Sequence, residues 1–327
     1  MSSKMISIII PCFNVEKYID ECMLSITSQT IVSKLKVIFI DDGSTDRTLV
    51  KLKQYEKEFD FVRVINQENK GQSAARNVGL EMVDTEFFSF IDSDDWVNPN
   101  FYESLLTGFT SNEVDLVVGK MNSVFEDGRV DVLNGRSYLI DDFNFCSLSV
   151  ERNFYIKEFL KDRLSVSPCN KLYRYSSFSN LKFTEGLYNE DMEFALDLWL
   201  NCSIIAKSDD AIYYYRQRSL STTKINSERV LDMLLIANNI TMKVQEKFPD
   251  KFIKELTDFR LFFCGYLTLL RVRNAEASTK IKVFNFVIDY FKDTSIFDVL
   301  TCNLLSSKRK FGLCFFKLAP QIMLKFW

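Results

Sequence analysis

Apolar residues follow two rhythms along this chain. Runs at 5–10, 35–40, 62–65, 87–91 and 115–119 are short and dense in β-branched or aromatic residues, which predicts buried strands. Between them the spacing changes to a helical period. Tyr18, Ile19, Cys22, Met23 and Ile26 share one face, as do Leu49, Leu52, Tyr55 and Phe59. A third helix, rich in small residues, is expected after the polar loop that begins at Asn66. Strands alternating with helices at this spacing make βαβ units, so the expected fold is α/β with a mostly parallel sheet flanked by helices.

Beyond residue 120 the pattern loosens. A hairpin is expected over 121–140, turning at Glu126, Asp127, Gly128 and Arg129. Helices are expected over 150–163 and 189–202, with an irregular stretch at 167–178 between them. An aromatic strand, IYYYRQR, opens into a polar loop by residue 224. From 227 onward the period is helical, interrupted by Pro249 and the polar stretch 273–280. A boundary near residue 225 would divide a domain at 1–225 from a helical C-terminal region at 226–327.

Composition narrows the chemistry. The 327 residues are 47% hydrophobic and 26% charged, ordinary for a globular chain with room for two domains. A net charge of −3 gives no support for a nucleic-acid partner. There is no His, which excludes His metal sites and leaves proton transfer to carboxylates, Lys, Tyr or Cys. Eight Cys show no CxxC spacing, which argues against a zinc or redox motif. MSSKMISIII is too short before Pro11 to read as a signal peptide, so reduced thiols inside the cell are expected.

The chemistry gathers where strands end. The run 87–91 stops at Asp92, Ser93, Asp94 and Asp95. Three carboxylates leaving a buried strand repel one another unless a cation or strong donors neutralise them. The bland alternative is a helix start, with Asp95 or Asn98 as cap and Pro99 in the first turn. In a parallel sheet, however, the loops 11–14, 41–46 and 92–95 share one edge, where α/β sheets bind ligands. Independent caps explain each loop but not their convergence.

SIIIPCFN, FIDDGSTDRT, NKGQSAARNVGLE, FIDSDDW and EGLYNEDMEF occur here in the order seen in family-2 glycosyltransferases, a resemblance covering residues 5 to about 222. It implies a Rossmann-like GT-A fold, a nucleotide-sugar donor, a divalent cation (Mn²⁺ or Mg²⁺) and inversion at the anomeric carbon. Pro11, Phe13 and Asn14 resemble the loop that receives the base. Asp41 and Asp42 resemble the uracil-reading pair, with Asp42 favoured. Asn69 and Gly71 resemble the loop beside base and ribose, and Arg76 suits the diphosphate or an ion pair with Asp92 or Asp94. Asp92 and Ser93 resemble residues near ribose and sugar, and Asp94 the metal ligand. Asp191 resembles the catalytic base, supported by Glu190; alone, these acids read as favourable charges at a helix N-terminus. Asn170 and Lys171 resemble a segment on the acceptor side. Arg216 and Arg218 lie in a loop resembling one that closes over the diphosphate. Many relatives carry a His there, which this chain lacks.

These roles imply transfer of a hexose or N-acetylhexosamine from a UDP-sugar to a hydroxyl of a growing bacterial surface glycan. An inactive scaffold is the non-enzymatic alternative, but intact Asp42, Asp94 and Asp191 argue against it. A sugar-phosphate nucleotidyltransferase would need a Gly-rich phosphate loop after the first strand, and PCFNVEKY is not one.

No acidic residue follows Asp298, whereas Lys308, Arg309, Lys310, Lys317 and Lys325 do. On a helix Lys310, Lys317, Gln321 and Lys325 form one stripe, and Phe311, Phe315, Leu318, Ile322 and Phe326 another. That pattern predicts an in-plane helix on anionic membrane, with the protein peripheral at the inner face of the cell membrane and its acceptor lipid-linked. A last core helix with solvated lysines is the competing expectation.

Overall fold

Every residue of β1 (Ile6–Cys12) is buried, so this strand needs neighbours on both edges and cover on both faces. The computed structural model, which describes residues 4–132, 152–217, 228–273, 275–320 and 322, supplies them. β1 pairs in parallel with β2 (Leu35–Asp41) on one side and with β4 (Phe87–Phe90) on the other. β2 pairs in parallel with β3 (Val62–Asn66). Cys12 lies opposite Asp41, and Asp41 opposite Asn66. The loops after these strands therefore leave from one edge.

Beyond β4 the sheet mixes directions. Its order is β3-β2-β1-β4-β8 (Lys171–Arg174)-β6 (Leu116–Phe125)-β9 (Ile205–Gln217)-β5 (Trp96–Val97), with β7 (Val130–Val132) beside β6. β8 runs antiparallel to β4 and to β6. β6 pairs in parallel with β9 and antiparallel with β7, a hairpin with the expected turn at 126–129; of the expected span 121–140, residues 133–140 lie outside the described residues. A two-residue strand, β5, pairs antiparallel with β9 through Tyr214 and Tyr213. This is an α/β sheet flanked by helices, with a helical C-terminal region.

β8 occupies a stretch whose polar residues read as irregular. Their charges are buried rather than solvated. The Lys171 ammonium, fully buried, donates to the carbonyl oxygens of Ser167 at 2.7 Å and Cys169 at 3.4 Å and to Asn170 Oδ1 at 3.0 Å. Arg174 donates from Nε to the Val114 carbonyl at 2.9 Å and pairs with Glu86 at 2.8 Å. A buried charge is tolerated when it is hydrogen-bonded in this way.

Helices α1 (Ile19–Thr27) and α2 (Thr48–Glu58) follow the predicted spacing, α3 (Gln72–Glu81) is the expected small-residue helix, and α4 (Phe101–Thr107) begins after Pro99. The small residues of α3 have a packing reason. A Cβ on Gly79 would come within 2.3 Å of Ile9 Cγ2, so the helix reaches the sheet only because that atom is missing. Aromatic rings pack beside it on the same face, with Phe88 stacked on Tyr173 at 4.8 Å and Phe183 on Phe194 at 4.0 Å.

The chain forms two compact units. One holds residues 1–155, 165–186 and 194–219, including the sheet; the other holds 156–164, 187–193 and 220–327. The expected boundary near 225 lies outside the described residues. The second unit includes helices Asp232–Lys247, Ile253–Arg260, Ala277–Tyr290, Ile296–Thr301 and Ser307–Leu318, and a π-helical segment, Leu261–Leu267, continues the second of these into Thr268–Arg271. Its core includes Phe259, Cys264, Val283, Phe284 and Phe316. Cys12, Cys22, Cys169, Cys202, Cys264 and Cys302 are reduced and buried.

Candidate functional site

The loops after β1 and β2 are joined through Asn14. Its backbone is left-handed, at φ 52°, a conformation Asn tolerates. From there Asn14 Oδ1 accepts from the amides of Thr45 at 2.8 Å and Asp46 at 3.3 Å, and the Asn14 amide donates to Ser44 Oγ at 3.1 Å. Asp46 Oδ1 takes the amide of Thr48, the first residue of α2, at 2.9 Å. Phe13 is left 47% exposed beside this junction, available to a planar ring.

Asp42 ties in the loop after β3. Its Oδ1 accepts from Gln67 Nε2 at 2.7 Å and the Lys70 amide at 2.9 Å, and its Oδ2 from the Gly71 amide at 2.8 Å. Gly43, at φ 72°, lets the two loops close, since a Cβ there would sit 2.9 Å from the Asn69 amide. A carboxylate offers about four acceptor positions. Three are taken, leaving Asp42 one for a ligand donor. Asp41 differs. It is fully buried; Oδ2 accepts from the Ser44 amide at 3.3 Å and Oδ1 has no hydrogen-bond partner.

The loop after β4 holds the acidic residues. Arg76, buried on α3, pairs with Asp92 at 2.9 Å, and its guanidinium lies 5.0 Å from the centre of the Phe183 ring. Gln72 Nε2 also donates to Asp92 Oδ1. Asp94 is half-buried and Ser93 buried. Asp95 is not a helix cap. Its carboxylate is buried and accepts from the Tyr213 hydroxyl at 2.7 Å and the Arg216 amide at 2.8 Å. The Asp92 amide donates to the same hydroxyl at 3.1 Å. Nor does the Asn98 side chain cap α4: Nδ2 donates to Asn100 and Asp210, and Oδ1 accepts from Ile212. β5 intervenes between loop and helix and uses these groups to fasten β9.

Arg216 closes this side. Its Nε donates to the Asp94 carbonyl at 2.8 Å, its Nη2 pairs with Glu21, and its guanidinium lies over Trp96 and Tyr18 at 4.5 and 5.3 Å. Arg218 lies outside the described residues. Burial, then the charges of Asp94 and Asp92, push the Asp95 carboxyl well above the usual range; the Arg216 amide and Tyr213 hydroxyl oppose them. That repulsion fits a cluster completed by a cation. Among the described residues no three His, Cys, Asp or Glu side chains form a cage. A divalent ion shared with a diphosphate needs only one or two carboxylates from the protein, and Asp94 and Asp92 would hold it.

Glu190 and Asp191 belong to the second unit. Both are half-buried, and Asp191 opens the helix Asp191–Asn201. Asn189 precedes them at φ 69°, with its Oδ1 accepting from Arg271 at 3.0 Å. The Tyr188 amide donates to Asp232 at 3.0 Å. A hydrogen-bonded turn thus presents the two acids. Asn170 Nδ2 donates to the Gly119 carbonyl at 2.6 Å, so both it and Lys171 build the loop before β8.

The sequence reading missed Tyr213, Asp95, Gln67 and Glu21. Only Asp95 carried a signal, in its place beside Asp92 and Asp94, and capping was the competing expectation for it.

The model of glycosyl transferase family 2 matches residues 7–182. Glycosyltransferase GlyG of Streptococcus pneumoniae serotype 4 is 30% identical over 66% of this chain and 72% of its own length. Glycosyltransferase GlyA of the same organism is 29% identical over 75% of this chain, and the match spans 35% of that longer protein. The crystal structure of Staphylococcus aureus TarS 1–349 in complex with UDP-GlcNAc matches with a TM-score of 0.68 at 24% identity, covering 98% of this chain and 89% of that one. TarS is named a poly(ribitol-phosphate) β-N-acetylglucosaminyltransferase. At that identity the likeness speaks for a shared fold, GT-A.

Proposed function

The chain belongs to glycosyl transferase family 2, and from that premise we propose that it moves a hexose or N-acetylhexosamine from a UDP-sugar to a hydroxyl of a growing bacterial surface glycan, with inversion. One observation carries the reading: at one sheet edge Asp42 holds the amides of Lys70 and Gly71 while Arg76, on the helix that follows, holds Asp92 in the loop that also bears Asp94. The relative TarS, which binds UDP-GlcNAc, supports the choice of donor.

In this reading Phe13 stacks on the base, and the remaining acceptor position of Asp42 takes the N3–H of uracil. Arg76 acts indirectly, holding Asp92 in place. Asp94, with Asp92, would hold Mn²⁺ or Mg²⁺, which supplies positive charge to the diphosphate as it leaves. Asp191 takes the proton from the attacking hydroxyl, and Glu190 orients it. A lipid-linked acceptor would place the reaction at the inner face of the cell membrane.

The test is a screen of nucleotide-sugars for UDP release in Mn²⁺. UDP-hexoses or UDP-N-acetylhexosamines should be hydrolysed, and EDTA or Asp94→Asn should abolish the activity while the fold persists. Undiminished turnover in EDTA sinks the metal assignment. Turnover of GDP- or CMP-sugars instead sinks the donor assignment.

A further inference from the structure

The helix Ser307–Leu318 has two apolar faces and fills only one of them. Leu313 and Phe316 are buried, with Phe316 packed 5.2 Å from the Phe284 ring. Phe311 is 75% exposed, Leu318 69% and Phe315 40%. At about 100° per residue these three fall within an arc of about 60°, turned away from the buried pair. The helix packed against it, Ile296–Thr301, leaves Phe297 72% exposed. Side chains this apolar are rarely left in water as a group.

The helix is fixed rather than loose. Arg309 lies over the Tyr266 ring at 4.6 Å. Lys317 donates to the carbonyl oxygens of Phe291 at 2.8 Å and Lys292 at 3.3 Å, closing the end of Ala277–Tyr290. Of the basic stripe expected from the sequence, Lys317 is therefore structural. Lys308 is exposed at the edge of the Phe311, Phe315 and Leu318 arc, and Lys310 is half-buried on its other flank. No acidic residue occurs from Val299 to the last residue, Trp327.

We propose that this helix is a fixed docking face for an anionic lipid bilayer, seating Phe311, Phe315 and Leu318 among the acyl chains and Lys308 and Lys310 against the headgroups. The charge pattern chooses the partner. A second copy of the same face would set lysine against lysine, whereas an anionic surface attracts both. The binding is peripheral, since among the described residues no helix is long and apolar enough to cross a membrane. It stands independently of the donor and of the metal.

The test is flotation of the full chain with phosphatidylglycerol/phosphatidylcholine vesicles and with phosphatidylcholine alone. The protein should float with the anionic vesicles and release in high salt. Phe311→Glu with Leu318→Glu should lower partitioning by more than about tenfold with an unchanged melting temperature, because both side chains are exposed. Lys308→Gln with Lys310→Gln should lower it by roughly 25-fold, about fivefold per charge. Lys317→Met should lower the melting temperature while the folded fraction floats as before. A folded chain that ignores anionic vesicles at low salt overturns the proposal. So does a Phe311→Glu, Leu318→Glu variant that floats normally, or a dimer in solution that this variant converts to monomer.

Discussion

Tyr213→Phe removes one oxygen and two hydrogen bonds. The hydroxyl donates to Asp95 Oδ2 at 2.7 Å and accepts from the Asp92 amide at 3.1 Å. The ring, fully buried, would keep its place against Phe101. What is lost is satisfaction of two polar groups. A buried carboxylate stripped of a donor costs about 1.5–3 kcal/mol and an amide about 1 kcal/mol more, so destabilisation of about 2.5–4 kcal/mol is expected. At roughly 2–4 °C per kcal/mol for a unit of this size, the melting temperature should fall by about 5–15 °C. The loop bearing Asp92 and Asp94 loses its tether to β9 as well, so UDP affinity should drop by roughly tenfold or more, read by calorimetry below the melting range. Tyr214→Phe is the control: that ring stacks on Trp96 at 5.4 Å, and the change should cost no more than about 0.5 kcal/mol. A Tyr213→Phe protein that melts within a degree of the parent and binds UDP equally well refutes the reasoning.

Two further predictions concern the acids and the buried lysine. Asp191→Asn should keep donor binding and lower transfer by roughly 10²–10⁴-fold; near-normal transfer in a steady-state assay would move the base elsewhere, with Glu190 next. Lys171→Met should destabilise the protein by about 3 kcal/mol or more, because carbonyl oxygens lose a charged donor. A normally stable variant with a raised KM for acceptor would instead assign Lys171 to the acceptor side.

The strands β1, β2 and β4 were legible because they are buried on both faces and read as dense apolar runs, each interrupted by one polar residue, Ser7, Lys36 and Ser89. The site was legible at the same points, since each run ends abruptly in polar residues. β8 was not, because Lys171 and Arg174 look solvated in a sequence and are buried on carbonyl oxygens in the fold. Asp95 could be read as a cap because local spacing carries no trace of Tyr213, 118 residues away. Lys317 fell on a plausible stripe, yet its ammonium is committed to Phe291 and Lys292, a choice made by tertiary packing.

The distribution of thiols has a practical consequence. A thiol reacts as its thiolate, and burial holds Cys22 and Cys169 well above their ordinary pKa and pushes Cys264 up to about 12. An added electrophile can reach such a group only when the surrounding structure opens. Cys12, Cys22, Cys169 and Cys202 lie in the sheet-bearing unit, Cys264 and Cys302 in the helical one. Alkylation followed cysteine by cysteine would therefore clock the opening of each unit separately, using reporters already built into the chain.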